Sequence, residues 1–298
     1  MTTFRRVTLA CICFAASVYV HLAAQAPLPN PAAPPVQAPL PAAHPTAELD
    51  RIVSPIALYP DPLLAQVLTA ATYPDDIPAA AQWADLHHYL SPDELAAAIV
   101  ADQLPWDPSV QSLLPFPSVL EMMSSALSWT RELGNAVLAQ RSDVMDAVQR
   151  MRQKASQFGY LHSNSAFAVS GDPYIEILPV DPGVIVVPSY DPAIVFAAPR
   201  PGFVVSGAIR IGFGVRIGAA FAPWGWGSTH FGWGEHAIIV NNARWDRTWA
   251  NRAAYVHPYA VRRYAGPRPP EAHRLIARSP RERSDARQGR APKEEHRR

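Results

Sequence analysis

Asp172-Pro173-Tyr174-Ile175-Glu176-Ile177-Leu178-Pro179, Asp181-Pro182-Gly183-Val184-Ile185-Val186-Val187-Pro188 and Asp191-Pro192-Ala193-Ile194-Val195-Phe196 repeat one pattern every nine or ten residues. Each unit opens on a turn-forming Asp-Pro and continues in β-branched and other apolar residues. Proline ends the first two runs, and Pro199 follows the third. β-Branched residues suit a pleated backbone, and proline lacks the amide a central strand must donate. The pattern predicts three short strands in a small meander, after a change of texture at Phe167. It reads as a structural sheet packed on the rest of the chain, ahead of a peptide-binding sheet edge.

Upstream, residues 48–162 read as a helical part built from short helices. Asp61-Pro62, Ser91-Pro92 and Asp107-Pro108 each place a capping side chain before a proline suited to the first helical position. Ser91 with Glu94, and Ser118 with Glu121, have capping-box spacing. Val119, Met123, Ala126, Leu127, Thr130 and Leu133 recur at helical spacing, as do Val144, Val148 and Met151 after a break expected near Gly134 or Ser142. His87 and His88 are adjacent on a helix and so point about 100° apart, which suits packed or surface histidines better than a shared metal.

Downstream, residues 166–264 form a β-rich part. Phe203, Val205, Ile209, Ile211, Phe213, Val215, Ile217 and Phe221 share one parity; Ser206, Arg210, Gly212, Gly214, Arg216 and Gly218 share the other. This period of two predicts a long amphipathic strand, or a hairpin turning near Gly212–Gly214. A membrane-inserting segment over 203–221 is the alternative, although one hairpin cannot close a barrel. Trp224, Trp226 and Trp233, interleaved with glycine, could cover tight turns, stack on sugar rings or sit at a membrane interface. They are the candidate binding residues. His230, Glu235 and His236 form a weak metal-like cluster with no zinc-signature spacing and no evident fourth ligand.

Composition bounds the rest. The 298 residues are 49% hydrophobic and 17% charged, with 32 prolines, which excludes both a wholly disordered chain and one made of long uninterrupted helices. Arg5 and Arg6 precede an apolar run from Val7 to Ala24, and Ala24-Gln25-Ala26 follows. That is the layout of a cleaved signal peptide over 1–26, with a retained anchor as the alternative. Cys11 and Cys13 both fall inside it, so the mature chain is expected to lack disulfides and thiolate metal sites. Residues 27–47 are a Pro/Ala-rich linker. Residues 262–298 hold 12 Lys and Arg against 5 Asp and Glu, a net +7, whereas residues 27–261 carry 12 against 20, a net −8. The segment 265–298 reads as a disordered basic tail. The fold class is therefore α+β: a short-helix part, then a small antiparallel β region rich in Pro, Gly and Trp, between disordered ends.

One resemblance stands beside this reading. Ser54-Pro55-Ile56-Ala57-Leu58-Tyr59-Pro60-Asp61-Pro62-Leu63-Leu64-Ala65-Gln66-Val67-Leu68 with Ala71-Thr72-Tyr73-Pro74 resembles a bacterial family catalogued as domain of unknown function 3300. So do Trp106-Asp107-Pro108-Ser109-Val110, Phe116-Pro117-Ser118-Val119-Leu120, Leu133-Gly134, Leu138-Ala139-Gln140, Asp143-Val144-Met145-Asp146-Ala147-Val148-Gln149 and Val187-Pro188-Ser189-Tyr190-Asp191-Pro192. The resemblance covers residues 48–200 well, continues weakly through the Gly/Trp stretch, and suggests that 48–264 is one family domain. It implies an exported or membrane-associated bacterial protein and no particular reaction.

The chain holds no G-x-S-x-G, no H-E-x-x-H and no phosphate-cradling loop. The expected function is a non-catalytic structural or interaction protein of the cell envelope, periplasmic or envelope-associated, with no cofactor. Its expected partners are envelope polyanions or an anionic membrane surface through the basic tail, and an unidentified protein; nucleic acid is not expected. The alternatives are a metal- or carboxylate-dependent hydrolase of envelope polymers and a membrane-inserted protein.

Overall fold

The computed structural model describes residues 39–199, 207–259 and 261. The signal-peptide segment, most of the linker and the basic tail lie outside the described residues. Among the described residues seven helices come first: α1 Thr46–Val53, α2 Asp61–Ala71, α3 Ile77–Leu86, α4 Pro92–Ala101, α5 Pro108–Gln111, α6 Pro117–Ser125 and α7 Leu127–Gln157. Strands β1 Phe167–Ser170, β2 Glu176–Pro179 and β3 Val184–Tyr190 follow, then a helical turn α8, Pro192–Val195. After β4, Ile209–Arg216, a 3-10 turn (Ala219–Trp224) leads to β5 His230–Gly232, β6 Ala237–Val240 and β7 Ala243–Arg244. The architecture is α+β. Among the described residues no helix is long and apolar enough to cross a membrane.

Helix α2 explains the arrangement. Every residue from Leu63 to Ala71 is buried, so α2 has no solvent face and must be covered all round. Helix α7 crosses it where Gly134 sits: a Cβ there would lie 2.0 Å from the Ala71 carbonyl oxygen. Gly134 is thus a close-approach point and not the expected break. The break falls at Gln140, with φ −146° and ψ 52°, between the two positions the sequence suggested.

Capping follows the sequence at Ser91, which forms a full capping box with Glu94, and at Asp107, which accepts from the Ser109 amide. Ser118 does not cap, because α6 starts at Pro117 and places Ser118 inside its first turn. Asp61 does not cap either. It lies in the first turn of α2 and turns inward.

Among the described residues the β region is three separate antiparallel sheets, β1-β2, β3-β4 and β5-β6-β7, and not the expected meander. The first two Asp-Pro units do yield β2 and β3, but they pair with β1 and β4. The third is helix α8, with Asp191 accepting from the Ala193 amide. The Asp-Pro that opens a strand unit is equally a helix N-terminus, and four apolar residues are too few to decide. No turn occurs at Gly212–Gly214: β4 runs straight along β3 from Ile209↔Tyr190 to Arg216↔Val184. The register shifts between Val186 and Pro188, where proline cannot donate to the ladder. Strands β6 and β7 are joined by Asn241 and Asn242, at φ 53° and 59°, the left-handed pair that a two-residue hairpin requires.

The main core joins residues of α1 to α7 with Ile185, Ile217, Phe221, Trp224, Trp226, Phe231, Trp233, Ile238, Val240 and Trp245. A smaller cluster of Leu58, Ala155, Tyr160, Leu161, Phe167, Ile177 and Val195 lies beside it. Both clusters draw on the helical and the β-rich parts.

Candidate functional site

The polar residues buried between the helices and the small sheets form the best-defined constellation in the molecule. At its centre Arg152 and Asp61 are 0% and 2% exposed, with Arg152 Nη1 2.7 Å from Asp61 Oδ1. Each charge has further partners. Arg152 donates to the carbonyls of Ala57 (2.9 Å), Tyr59 (3.0 Å) and Ile175 (2.8 Å). Asp61 accepts from the Ile177 amide at 3.2 Å and the Trp233 indole at 3.1 Å. The guanidinium also sits 5.0 Å from the Trp233 ring centroid. Gln149 completes the seam, its amide bonding both Ile175 N–H (2.8 Å) and Ile175 C=O (3.1 Å). Removing two charges from water is costly unless they are paired and hydrogen-bonded, and here they are both.

A second, uncharged hub lies further along α2. Gln66 accepts from Ser112 Oγ (2.9 Å) and from the Tyr259 hydroxyl. It donates to the Trp224 carbonyl (3.1 Å) and to Thr229 Oγ1 (3.3 Å). The Trp224 indole donates to Gln111 Oε1 at 2.9 Å, and the Trp226 indole to the Ser112 carbonyl at 2.9 Å. Burial pushes the Tyr259 hydroxyl well above its usual 10.

The chain then returns over the helices. Arg247 donates to the Thr72 carbonyl and stacks 3.7 Å from the Tyr73 ring centroid, while the Trp249 amide reaches the Leu138 carbonyl at 3.0 Å. His257 is buried against Tyr259, ring centroids 3.8 Å apart. Burial first, and the neighbouring Arg247 second, hold its imidazole well below the usual 6.5, so it is neutral. Tyr255, which accepts from the Asp246 amide, is pushed up to about 12 by burial.

The sequence-derived candidates fall in different places. Trp224, Trp226 and Trp233 are buried, with every indole N–H directed at an acceptor, so they present no open face for stacking a sugar. They close the core over α2 and α5. His230 and Glu235 are exposed, and His236 is half-buried with Nε2 2.8 Å from Asp146 Oδ1. Those three do not converge: among the described residues, the trio with ligand atoms all within 4.8 Å of one another is His44, Glu48 and Glu132. His87 stacks on Trp83, centroids 3.9 Å apart, and His88 is exposed, in keeping with packed and surface histidines.

The sequence marks Asp61 only as a helix cap, and it gives Arg152, Gln66 and Gln149 no site role. A signal existed for one of them. Arg152 lies four residues beyond Val148 and three before Ala155, on the apolar face of α7, where a cation requires a buried partner.

The family described as "Protein of unknown function (DUF3300)" matches residues 45–263. The uncharacterized protein YacH of Escherichia coli (strain K12) is 38% identical over an alignment of 198 residues that covers 55% of this chain and 32% of that protein. The chain thus spans about a third of the length of that curated relative. No solved structure matches. The match over 45–263 takes in the helices, the Asp-Pro units, both buried hubs and the Trp/Gly stretch, and on that extent the chain belongs to the DUF3300 family of unknown function.

Proposed function

We propose that this chain is an exported bacterial cell-envelope protein that acts by interaction and not by catalysis. The observation carrying this reading is the N-terminal order Arg5-Arg6, apolar Val7–Ala24 and Ala24-Gln25-Ala26, followed by eight prolines in residues 27–45. A spacer of that composition would hold the body away from its point of export. The interior supports the non-catalytic half of the reading: Asp61, Arg152, Gln66 and Gln149 are held by internal partners and serve to join the two parts of the fold. The net +7 of residues 262–298 supplies electrostatic attachment to anionic headgroups or polyanions, weakened by the acids interspersed in it.

Cell fractionation with salt and carbonate washes, followed by mass spectrometry of the recovered protein, tests this. The expected species starts at Ala26 or Pro27, sits in the envelope fraction and is released by salt. An intact Met1–Ala26 segment on cytoplasmic protein would overturn the reading.

A further inference from the structure

We propose that His44, Glu48 and Glu132 form a surface site for a divalent transition-metal ion, with zinc the best match to the donors. The three residues come from three elements: the segment before α1, the first turn of α1, and α7. One ligand atom from each lies within 4.8 Å of the other two, and all three residues are half-buried. One imidazole nitrogen with two carboxylate oxygens suits zinc and its borderline neighbours, where calcium and magnesium prefer all-oxygen shells. Zinc–ligand bonds of about 2.0–2.2 Å place tetrahedral donors about 3.4 Å apart, so the trio needs only a modest closure at the ends of the glutamates.

Two features favour a built site over a chance cluster. Gln140 fixes the backbone that carries the imidazole, its Oε1 accepting from His44 N–H at 2.8 Å and its Nε2 donating to His44 C=O at 3.2 Å. Gln140 is also where α7 leaves helical geometry, so the residue at the kink is the one that holds the His44 backbone. Second, the two carboxylates already converge on a cation: Arg51 Nη2 lies 2.6 Å from Glu48 Oε1 and 2.9 Å from Glu132 Oε2. Arg51 is 55% exposed on a flexible stem and can swing into solvent, leaving its place to a metal ion with water completing the shell. Arg51 is therefore a competitor for the site and not a ligand.

Calorimetric titration of the signal-free protein, residues 27–298, with Zn2+ at neutral pH tests this. The expected result is one stoichiometric site, weakened at least tenfold by His44→Ala and by Glu132→Gln, tightened by Arg51→Ala and unchanged by His230→Ala. The substituted side chains are half-buried or exposed, and the circular dichroism of each variant verifies its fold. Absence of saturable binding, equal binding by wild type and the His44 and Glu132 variants, or weaker binding by Arg51→Ala would each overturn the proposal. Its failure would leave the export reading intact, because that rests on residues 1–45.

Discussion

The Trp224–Trp233 stretch and the β4 strand are near neighbours in the chain, and each takes the role that the other's composition suggests. Tryptophans set among glycines look like an exposed adhesive surface, yet all three indoles are buried and hydrogen-bonded into α2 and the α5 region. β4 alternates like a strand with one hidden face, yet Phe213 is 100% exposed and Ile211 41%. The difference lies in what each meets. The tryptophans face a helical layer that offers matched acceptors: Gln111 Oε1, the Ser112 carbonyl and Asp61. β4 satisfies its backbone along β3; of its apolar parity Ile209 and Val215 are only partly buried, and full burial comes just beyond the strand, at Ile217 and Phe221. Burial follows the partner surface, and hydrophobic content alone does not decide it.

The comparison breaks most readily at Arg152. Arg152→Met leaves Asp61 buried without its counter-charge and strips the carbonyls of Ala57, Tyr59 and Ile175 of a donor. The expected loss is about 3–5 kcal/mol of unfolding free energy, read from urea titration. A loss under about 1 kcal/mol would mean that the hub does not tie the Trp-rich layer to the helices.

His257 sharpens the same side of the comparison through pH. Its folded pKa lies below the usual 6.5 that the unfolded chain retains, so the unfolded state takes up the proton first as pH falls. The contribution of this group is therefore fully present above pH 6.5 and declines below it, by up to about 1.4 kcal/mol per pH unit. Unfolding free energies at pH 7.5 and 5.5 should fall more steeply for wild type than for His257→Phe. Identical slopes would show that the Tyr255–Tyr259 segment does not bury this ring.

Phe213 gives the smallest effect. Phe213→Ser should change stability by no more than about 0.5 kcal/mol, because the ring already lies in water. A loss of several kcal/mol would place it in a core and undo the contrast with Trp224.

Much of the helical layer was legible because its signals are local. The Ser91–Glu94 box and the Asp107 cap need only residues within one turn. The α+β division was legible for the same reason, since the change from helical spacing to period two falls at Phe167. What escaped depends on residues far apart in the chain. A carboxylate before proline looks the same whether it caps a helix, as Asp107 does, or pairs with a buried guanidinium, as Asp61 does. Gln66 is hidden in the apolar run of α2, and its acceptors and donors come from segments that only the fold brings near. His44, Glu48 and Glu132 escaped likewise, since Glu132 joins the other two only through the packing of α7 on α1.

The central claim is that the helices and the Trp-rich sheet form one cooperative body joined through Asp61, Arg152 and Gln66. Native-state hydrogen exchange compares the amides of Leu64–Leu68 in α2 with those of Ala237–Val240 in β6. The account predicts that both sets open with the same free energy, that of global unfolding, and that Arg152→Met lowers both equally. Sheet amides opening at a clearly lower free energy than those of α2, with only the sheet set responding to Arg152→Met, would contradict it.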